Sequence, residues 1–210
     1  MKIVYPLGYH CNITYVITAL KIKKETGLFE WLQSNQLQYI TDVINIINTN
    51  PDYISIVNGK DNHITILHEK LYTCHYNLDD YKIIFKRRVE RFLDLIKNEN
   101  EIIFSRINPI NCKTTETEII LFIESIKKIN PNINISFLLI DTINNENEFV
   151  NLKVNIKNVI FHHKYFLYND CKDNVYLGNN PKIYNIYYNY LINIGFIKNE
   201  DIDINFTDKS

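Results

Sequence analysis

The sequence is poor in the residues that G/C-rich codons encode. Its 210 residues include one alanine and four arginines, against 37 isoleucines and 30 asparagines. Isoleucine, asparagine, lysine and tyrosine share A/T-rich codons. An A/T-rich genome, such as that of a large DNA virus, a protist or a low-GC bacterium, accounts for this bias. The asparagine runs are therefore no evidence for a function.

Several common site signatures are absent from the sequence. The five glycines form no GxGxxG, no phosphate loop and no GxSxG elbow, which argues against nucleotide-dependent and serine-hydrolase chemistry. No CxxC, HxH or HExxH spacing occurs, so we expect neither a metal nor a cofactor. The widely spaced cysteines are expected to be free thiols in a reducing compartment; they are Cys11, Cys74, Cys112 and Cys171.

Charge and hydropathy exclude further classes of protein. The formal net charge is −1, which argues against a nucleic-acid partner and an acidic tail protein. No apolar run approaches the roughly 18 residues of a membrane span. Pro6, His10 and Asn12 interrupt the first 20 residues, so no signal peptide is expected. The sequence predicts a cytoplasmic protein, in the host cytoplasm if viral, with no membrane partner.

Hydrophobic periodicity predicts alternating strands and helices. A hairpin is expected from Tyr53–Val57 and His63–His68. Such alternation is typical of a largely parallel sheet covered by helices. We predict a single α/β domain over residues 1–198, with a mainly parallel sheet flanked by helices and a polar tail at 199–210. The expected sheet strands are Lys2–Pro6, Ile102–Ile107, Ile133–Ile140 and Val159–His162. One helix is expected to begin near Cys11, and four more are expected at residues 37–47, 81–96, 114–129 and 181–194.

Polar residues follow four of these predicted strands. In parallel sheets, ligands bind beyond the carboxyl ends of the strands, so these residues are expected to converge on one edge. His162 and His163 are adjacent and point to opposite faces of a strand, so at most one can face a site. The strands deliver His10, Cys11, Arg106, Asp141, His162 and His163 to this edge, and of the last two we assign His162 to the site.

Cys11 is the strongest candidate for a nucleophile. It follows a Gly8 turn near the predicted start of a helix, where unpaired N–H groups favour a thiolate and could bind an oxyanion. The alternative is a buried cysteine that acts as a small hydrophobic residue. His75 is the candidate base, and its alternative is a structural or surface histidine.

Three of the four arginines lie on one predicted helix. Arg87, Arg88 and Arg91 could dock a partner or could form a solvated helix face with Glu90 and Asp94. Because the composition disfavours arginine and lysine would serve solubility equally well, a role that needs the guanidinium is indicated, such as pairing with a carboxylate.

Five segments, in this order, resemble one known family. Residues 6–11 (PLGYHC) resemble an SLGxxC opening with Pro6 in place of serine, and residues 29–31 (FEW) resemble FDW. Residues 74–76 (CHY), 85–92 (FKRRVERF) and 102–106 (IIFSR) resemble xHDF, YxRRixRF and LFVR. Across residues 1–140 the chain resembles the papain-like cysteine peptidase family of unknown function, found in bacteria and large DNA viruses.

The resemblance implies a cysteine nucleophile at Cys11 and a histidine at His75. The chain departs from the pattern at Glu30 and at Tyr76, which replace aspartates. No third member of a triad is obvious; we assign Asp141, at a strand end, as the orienting carboxylate, with Asp80 as second choice. The βαβ periodicity predicts a parallel sheet, whereas a papain fold has an antiparallel one.

The function predicted from the sequence is that of a cysteine-dependent hydrolase or acyl-transfer enzyme acting on a peptide, ester or other small anionic substrate. Cys11, His75 and Asp141 would be catalytic, and His10, Arg106 and His162 would bind substrate. One alternative is a non-catalytic protein that binds a host partner through Arg87, Arg88 and Arg91. Another is a glycan- or nucleotide-sugar-linked transferase in which Arg106 and His162 bind phosphate.

Overall fold

The computed structural model describes residues 3–8, 14, 17–18, 26–60, 63–67, 69–171 and 181–196. Its strands are β1 (Val4–Pro6), β2 (Ile56–Asn58), β3 (Ile64–Ile66), β4 (Leu71–Thr73), β5 (Glu101–Asn108), β6 (Asn134–Ile143) and β7 (Val159–Leu167). Its α-helices are α1 (Leu37–Thr49), α2 (Leu78–Asn98), α3 (Glu116–Ile129) and α4 (Pro181–Asn193).

The main sheet has four strands in the order β1-β5-β6-β7, and every pair is parallel. The four strands predicted from the sequence are therefore confirmed, and so is the α/β class with a mainly parallel sheet. Parallel neighbours need a crossover connection, and the helix α3 supplies the one between β5 and β6. The polar tail predicted for residues 199–210 lies outside the described residues.

Local capping chemistry marks the starts of α2 and α3. Asn77 caps α2 by accepting a hydrogen bond from the Asp80 N–H. Thr115 and Glu118 form a reciprocal capping box at the start of α3, which satisfies two backbone N–H groups that helix geometry leaves free. The predicted helices thus begin close to where their sequence signals stand.

A second, three-stranded antiparallel sheet joins β2, β3 and β4. This confirms the predicted hairpin, although its first strand begins at Ile56. Pro51–Tyr53 form a short 3₁₀ turn instead, because Pro51 suits the first turn of a helix and Asn50 accepts a hydrogen bond from the Asp52 N–H.

The main sheet is covered on both faces. On one face, Phe104 and Phe137 pack against helices α1, α2 and α3 in the larger apolar core. On the other face, Leu138 and Ile140 pack against α4, and a hydrogen bond joins the hydroxyls of Tyr187 and Ser105. None of the helices in the described ranges combines the length and the apolarity needed to cross a membrane.

Phe122 of α3 tests the larger core. Its ring centroid lies 5.0 Å from that of Phe104 and 5.4 Å from that of Phe137, and the side chain is fully buried. We expect Phe122→Ala to lower the free energy of unfolding by about 3–5 kcal/mol in urea denaturation, because it leaves a cavity between packed rings. Ile120 lies on the outer side of the same helix and is 37% exposed, so Ile120→Ala is expected to lower the free energy of unfolding by less than about 1 kcal/mol. Equal losses would show that Phe122 is not a core residue.

Candidate active site

The candidate residues that the structure describes fall into two groups, one at the ends of β5, β6 and β7 and one around His75. Cys11 and His10 themselves lie outside the described residues, and the chain before them is described as far as Gly8. Beyond them, Thr14, Ile17 and Thr18 have helical backbone, as predicted for the segment after the turn. The remaining candidate residues can be located one by one.

Arg106, predicted from its place at a strand end to bind substrate, is instead engaged with acceptors of the chain itself. Its side chain is fully buried on the α1–α3 face of the sheet. The guanidinium donates to the carbonyl oxygens of Leu7, at 2.9 Å, and Ser34, at 2.8 Å. It also donates from Nε to Asn108 Oδ1 at 2.9 Å. Arg106 therefore joins the end of β1, the segment before α1 and the end of β5.

Asn108 connects Arg106 to a carboxylate. Its Oδ1 accepts hydrogen bonds from Arg106 and, at 3.0 Å, from the hydroxyl of Thr114. Its Nδ2 donates to Asp141 Oδ1 at 2.7 Å. Because a guanidinium only donates and a carboxylate only accepts, the amide orientation is fixed by its partners. The buried cation and the anion are thus linked through one amide.

Asp141 orients a histidine, but not the predicted one. One carboxylate oxygen accepts from Asn108, and the other lies 2.9 Å from Nε2 of His163. The predicted pairing of Asp141 with His75 is therefore corrected to a pairing with His163. The reason is the register of the sheet: Asn108 lies beside Asp141, and His163 lies two residues before Tyr165, the neighbour of Asp141 in β7.

The protonation state of His163 follows from its partners. Nδ1 accepts a hydrogen bond from the backbone N–H of Leu152 at 3.0 Å, so Nδ1 carries a lone pair and no proton. Nε2 therefore carries the proton and donates to Asp141. With both nitrogens engaged and the side chain 1% exposed, this neutral imidazole is not available to a substrate.

His162 points to the opposite face of the sheet, as predicted for adjacent strand residues. Its Cα lies opposite Leu138, and its ring centroid is 4.9 Å from that of Tyr190 in α4. Burial, and secondly Lys164, lower its pKa below the usual value. Arg106 and His162 thus lie on different faces and cannot clamp one phosphate, which removes the geometry assumed for the transferase alternative.

His75 lies in the second polar group, beside the turn that precedes Cys11. The side chain is exposed, and its ring centroid is 5.0 Å from that of Trp31. The next residue after Trp31, Leu32, has its carbonyl oxygen 3.1 Å from where a Cβ on Gly8 would stand. Gly8 has a φ of +53°, in the region that favours glycine. One loop therefore contacts both His75 and the turn before Cys11.

That loop, residues 26–34, is held by arginines, and we call it the arginine-bound loop. Arg88 donates to the Glu30 carbonyl at 3.3 Å, Arg91 donates to the Thr26 carbonyl at 2.9 Å, and Arg106 donates to the Ser34 carbonyl. Arg88 is buried, and it also donates to the Tyr76 hydroxyl at 2.8 Å.

These contacts correct the picture of a three-arginine docking face. Arg88 is 5% exposed and Arg91 is half-buried, so of the three only Arg87 is exposed. The guanidinium requirement inferred from composition is explained by bonds to backbone carbonyls, because one planar group can donate in several directions at once. A protein partner at Arg87, Arg88 and Arg91 stays a prediction.

Sequence reasoning missed one residue of the network, Asn108, and did not choose another, His163. Asn108 stands two positions after Arg106, and that spacing alone puts both side chains on one face of a strand. His163 could not be chosen over His162 without the register of β7 against β6, which depends on both strands together.

Arg106→Lys tests the buried guanidinium. A lysine keeps the charge but cannot donate to three separate acceptors in the same geometry. We expect the free energy of unfolding to fall by about 2–4 kcal/mol and the fluorescence of Trp31, the single tryptophan, to change. Arg87→Lys, on the exposed face of α2, is the control and should stay within about 0.5 kcal/mol of the wild type. Similar results for the two variants would contradict the role assigned to Arg106.

Asp141→Asn tests the link to His163. An asparagine has the same shape but one acceptor oxygen, whereas Asn108 Nδ2 and the Nε2–H of His163 both need an acceptor. We expect a loss of about 1–3 kcal/mol in the free energy of unfolding, measured by urea denaturation at neutral pH. Asp94→Asn, at an exposed position of α2, is the matched control. An unchanged free energy of unfolding in Asp141→Asn would mean that the two donors find other acceptors.

Comparison with known proteins adds no relative. No family model matches the chain. No curated protein and no solved structure matches it either. The resemblance to the papain-like family therefore stays a prediction, and the function is argued from the residues and their geometry.

Proposed function

We propose that this chain is a cysteine-dependent hydrolase or acyl-transfer enzyme in which Cys11 is the nucleophile and His75 is the general base. The observation that carries the proposal is that the arginine-bound loop lies against both the His75 ring and the turn that precedes Cys11. Trp31 packs against the His75 ring, and the Leu32 carbonyl oxygen lies 3.1 Å from where a Cβ on Gly8, three residues before Cys11, would stand. The turn at Gly8 and the His75 ring thus both adjoin the same loop, which supports the proposed pairing.

The backbone of the arginine-bound loop supports a functional reading. Trp31 has a φ of +64°, a backbone conformation that residues other than glycine rarely adopt and that costs on the order of 1–3 kcal/mol. The guanidiniums of Arg88 and Arg106 donate to loop carbonyls on either side of it. Strain that the surroundings maintain in this way is concentrated at functional sites. The strained residue here is the one that packs on the candidate base.

The proposed reaction uses the exposed imidazole. His75 takes the proton of the Cys11 thiol, and the thiolate sulfur attacks the carbonyl carbon of an amide or ester. A tetrahedral intermediate collapses to a thioester, and the leaving amine or alcohol takes the proton from the His75 imidazolium. Water, or another acceptor in acyl transfer, then attacks the thioester, and Cys11 recovers its thiol. His75 is accessible to a substrate, whereas His163 is not.

The roles first given to two charged residues change in this proposal. Arg106 positions the loop instead of the substrate, because its guanidinium is buried among the chain's own acceptors. Asp141 belongs to the His163 network. The second choice for an orienting carboxylate, Asp80, accepts a hydrogen bond from Nδ2 of Asn77 at the start of α2. Trp31 is the neighbour that orients the His75 ring.

Thiol labelling tests the proposal. A limiting dose of iodoacetamide at pH about 6, read by peptide mass mapping, compares Cys11 with Cys74, which is exposed and next to His75 in sequence. An ordinary thiol of pKa about 8.5 is roughly 0.3% thiolate at this pH. A thiol of pKa near 6 is about half ionised, and after allowing for its lower intrinsic nucleophilicity we expect Cys11 to label about tenfold faster.

Two histidine variants complete the test. His75→Ala should remove the preference for Cys11, while His63→Ala should keep it. His63 is a fair control because its ring also packs edge-on against an aromatic residue, Tyr72. Labelling of Cys11 no faster than Cys74 in the wild type would sink the proposal and favour a non-catalytic binding protein.

A further inference from the structure

The outer edge of β7 is the longest unpaired edge among the described strands. β7 ends the order of the main sheet, and it spans nine residues, whereas β1 at the other end spans three. Long exposed edges are unusual in natural proteins, because their free backbone groups can pair with another chain.

The direction of the free groups follows from the register. The N–H of Ile135 donates to the carbonyl of Asn158, at the start of β7. Alternate residues of a parallel strand bond to the same neighbour, so the backbone groups of His162 and Lys164 face β6. Those of Phe161, His163 and Tyr165 face outward, and no backbone hydrogen bond from another described residue reaches them.

A segment of the chain passes this edge without pairing to it. Residues 149–158, which we call the covering segment, are held by side chains instead. The Lys153 N–H donates to the carboxylate of Glu116 in α3, and the Leu152 N–H donates to the His163 ring. A cavity of about 400 Å³ remains between residues 151–155 and residues 161–164. That volume is within the range of ligand-binding clefts.

The side chains around the cavity favour a negatively charged ligand. Two exposed lysines line it, Lys153 from the covering segment and Lys164 from β7, and none of its lining residues is acidic. Ile160, at the start of the strand, is 52% exposed. A second copy of this edge would bring lysines against lysines. An acidic segment that also carries apolar residues complements both the two lysines and Ile160.

We propose that the outer edge of β7 binds an extended acidic peptide segment of a partner protein by strand addition. The outward N–H and C=O groups of Phe161, His163 and Tyr165 supply the main-chain hydrogen bonds. Lys153 and Lys164 supply the charge preference, as side-chain positions do in other strand-addition complexes. This site is at the other end of the sheet from β1, so it does not depend on the proposed chemistry of Cys11.

The test uses a fluorescent peptide of alternating glutamate and isoleucine, with anisotropy as the readout. Lys164→Glu should weaken binding about threefold to tenfold, and Lys82→Glu, an exposed position on α2, should not. Two further peptides carry N-methyl groups on either the odd or the even residues. Because strand addition uses one edge of a peptide, one of these two should lose more than about tenfold in affinity and the other should bind normally.

Amide hydrogen exchange locates the peptide on the full chain. The amides of Phe161, His163 and Tyr165 should exchange readily in the free protein and become protected when the peptide is added. Three outcomes would overturn the proposal. They are protection of these amides without peptide, equal binding of both N-methylated peptides, and binding that Lys164→Glu and Lys82→Glu change alike.

Discussion

Bonds from guanidinium groups to backbone carbonyls are the constraint on which the candidate site depends. The arginine-bound loop has no regular helix or strand through most of its length, so its carbonyls need partners from elsewhere. Arg88, Arg91 and Arg106 provide them. The same Arg106 also holds the end of β1, and the loop thereby keeps a fixed place beside the turn that leads to Cys11. An arginine-poor chain spends three of its four arginines on this task.

The two candidate histidines, His163 of β7 and His75 after β4, are suited to different tasks. His163 is buried, has both nitrogens engaged and is part of a network that runs from Arg106 to Leu152. Such a network rigidifies the ends of β5, β6 and β7, because each polar member would be costly to leave unsatisfied. His75 is exposed and rests on Trp31 through its ring. Of these two imidazoles, His75 is the one whose surroundings leave it accessible to a reacting group.

The two outer strands of the main sheet differ in length and in what surrounds them. β1 is short, and the turn after it is tied to β5 and the arginine-bound loop. β7 is long, and its outward backbone groups lie beside a polar cavity. The proposed chemistry thus lies beside β1, and the proposed peptide-binding edge lies at β7. The two proposals rest on separate contacts, and either can stand without the other.

Local patterns in the sequence determined the α/β class, the four parallel strands and the start of α3, because apolar periodicity and capping residues act over a few neighbouring positions. They also indicated that the arginines needed their guanidiniums. Only the tertiary structure decided that Arg106 is buried, that Asp141 pairs with His163 and that His75 rests on Trp31. These contacts join segments tens of residues apart, and they depend on strand register and on the faces of a sheet. A shift of one residue in register would exchange His162 for His163, so no property of either histidine alone could have chosen between them.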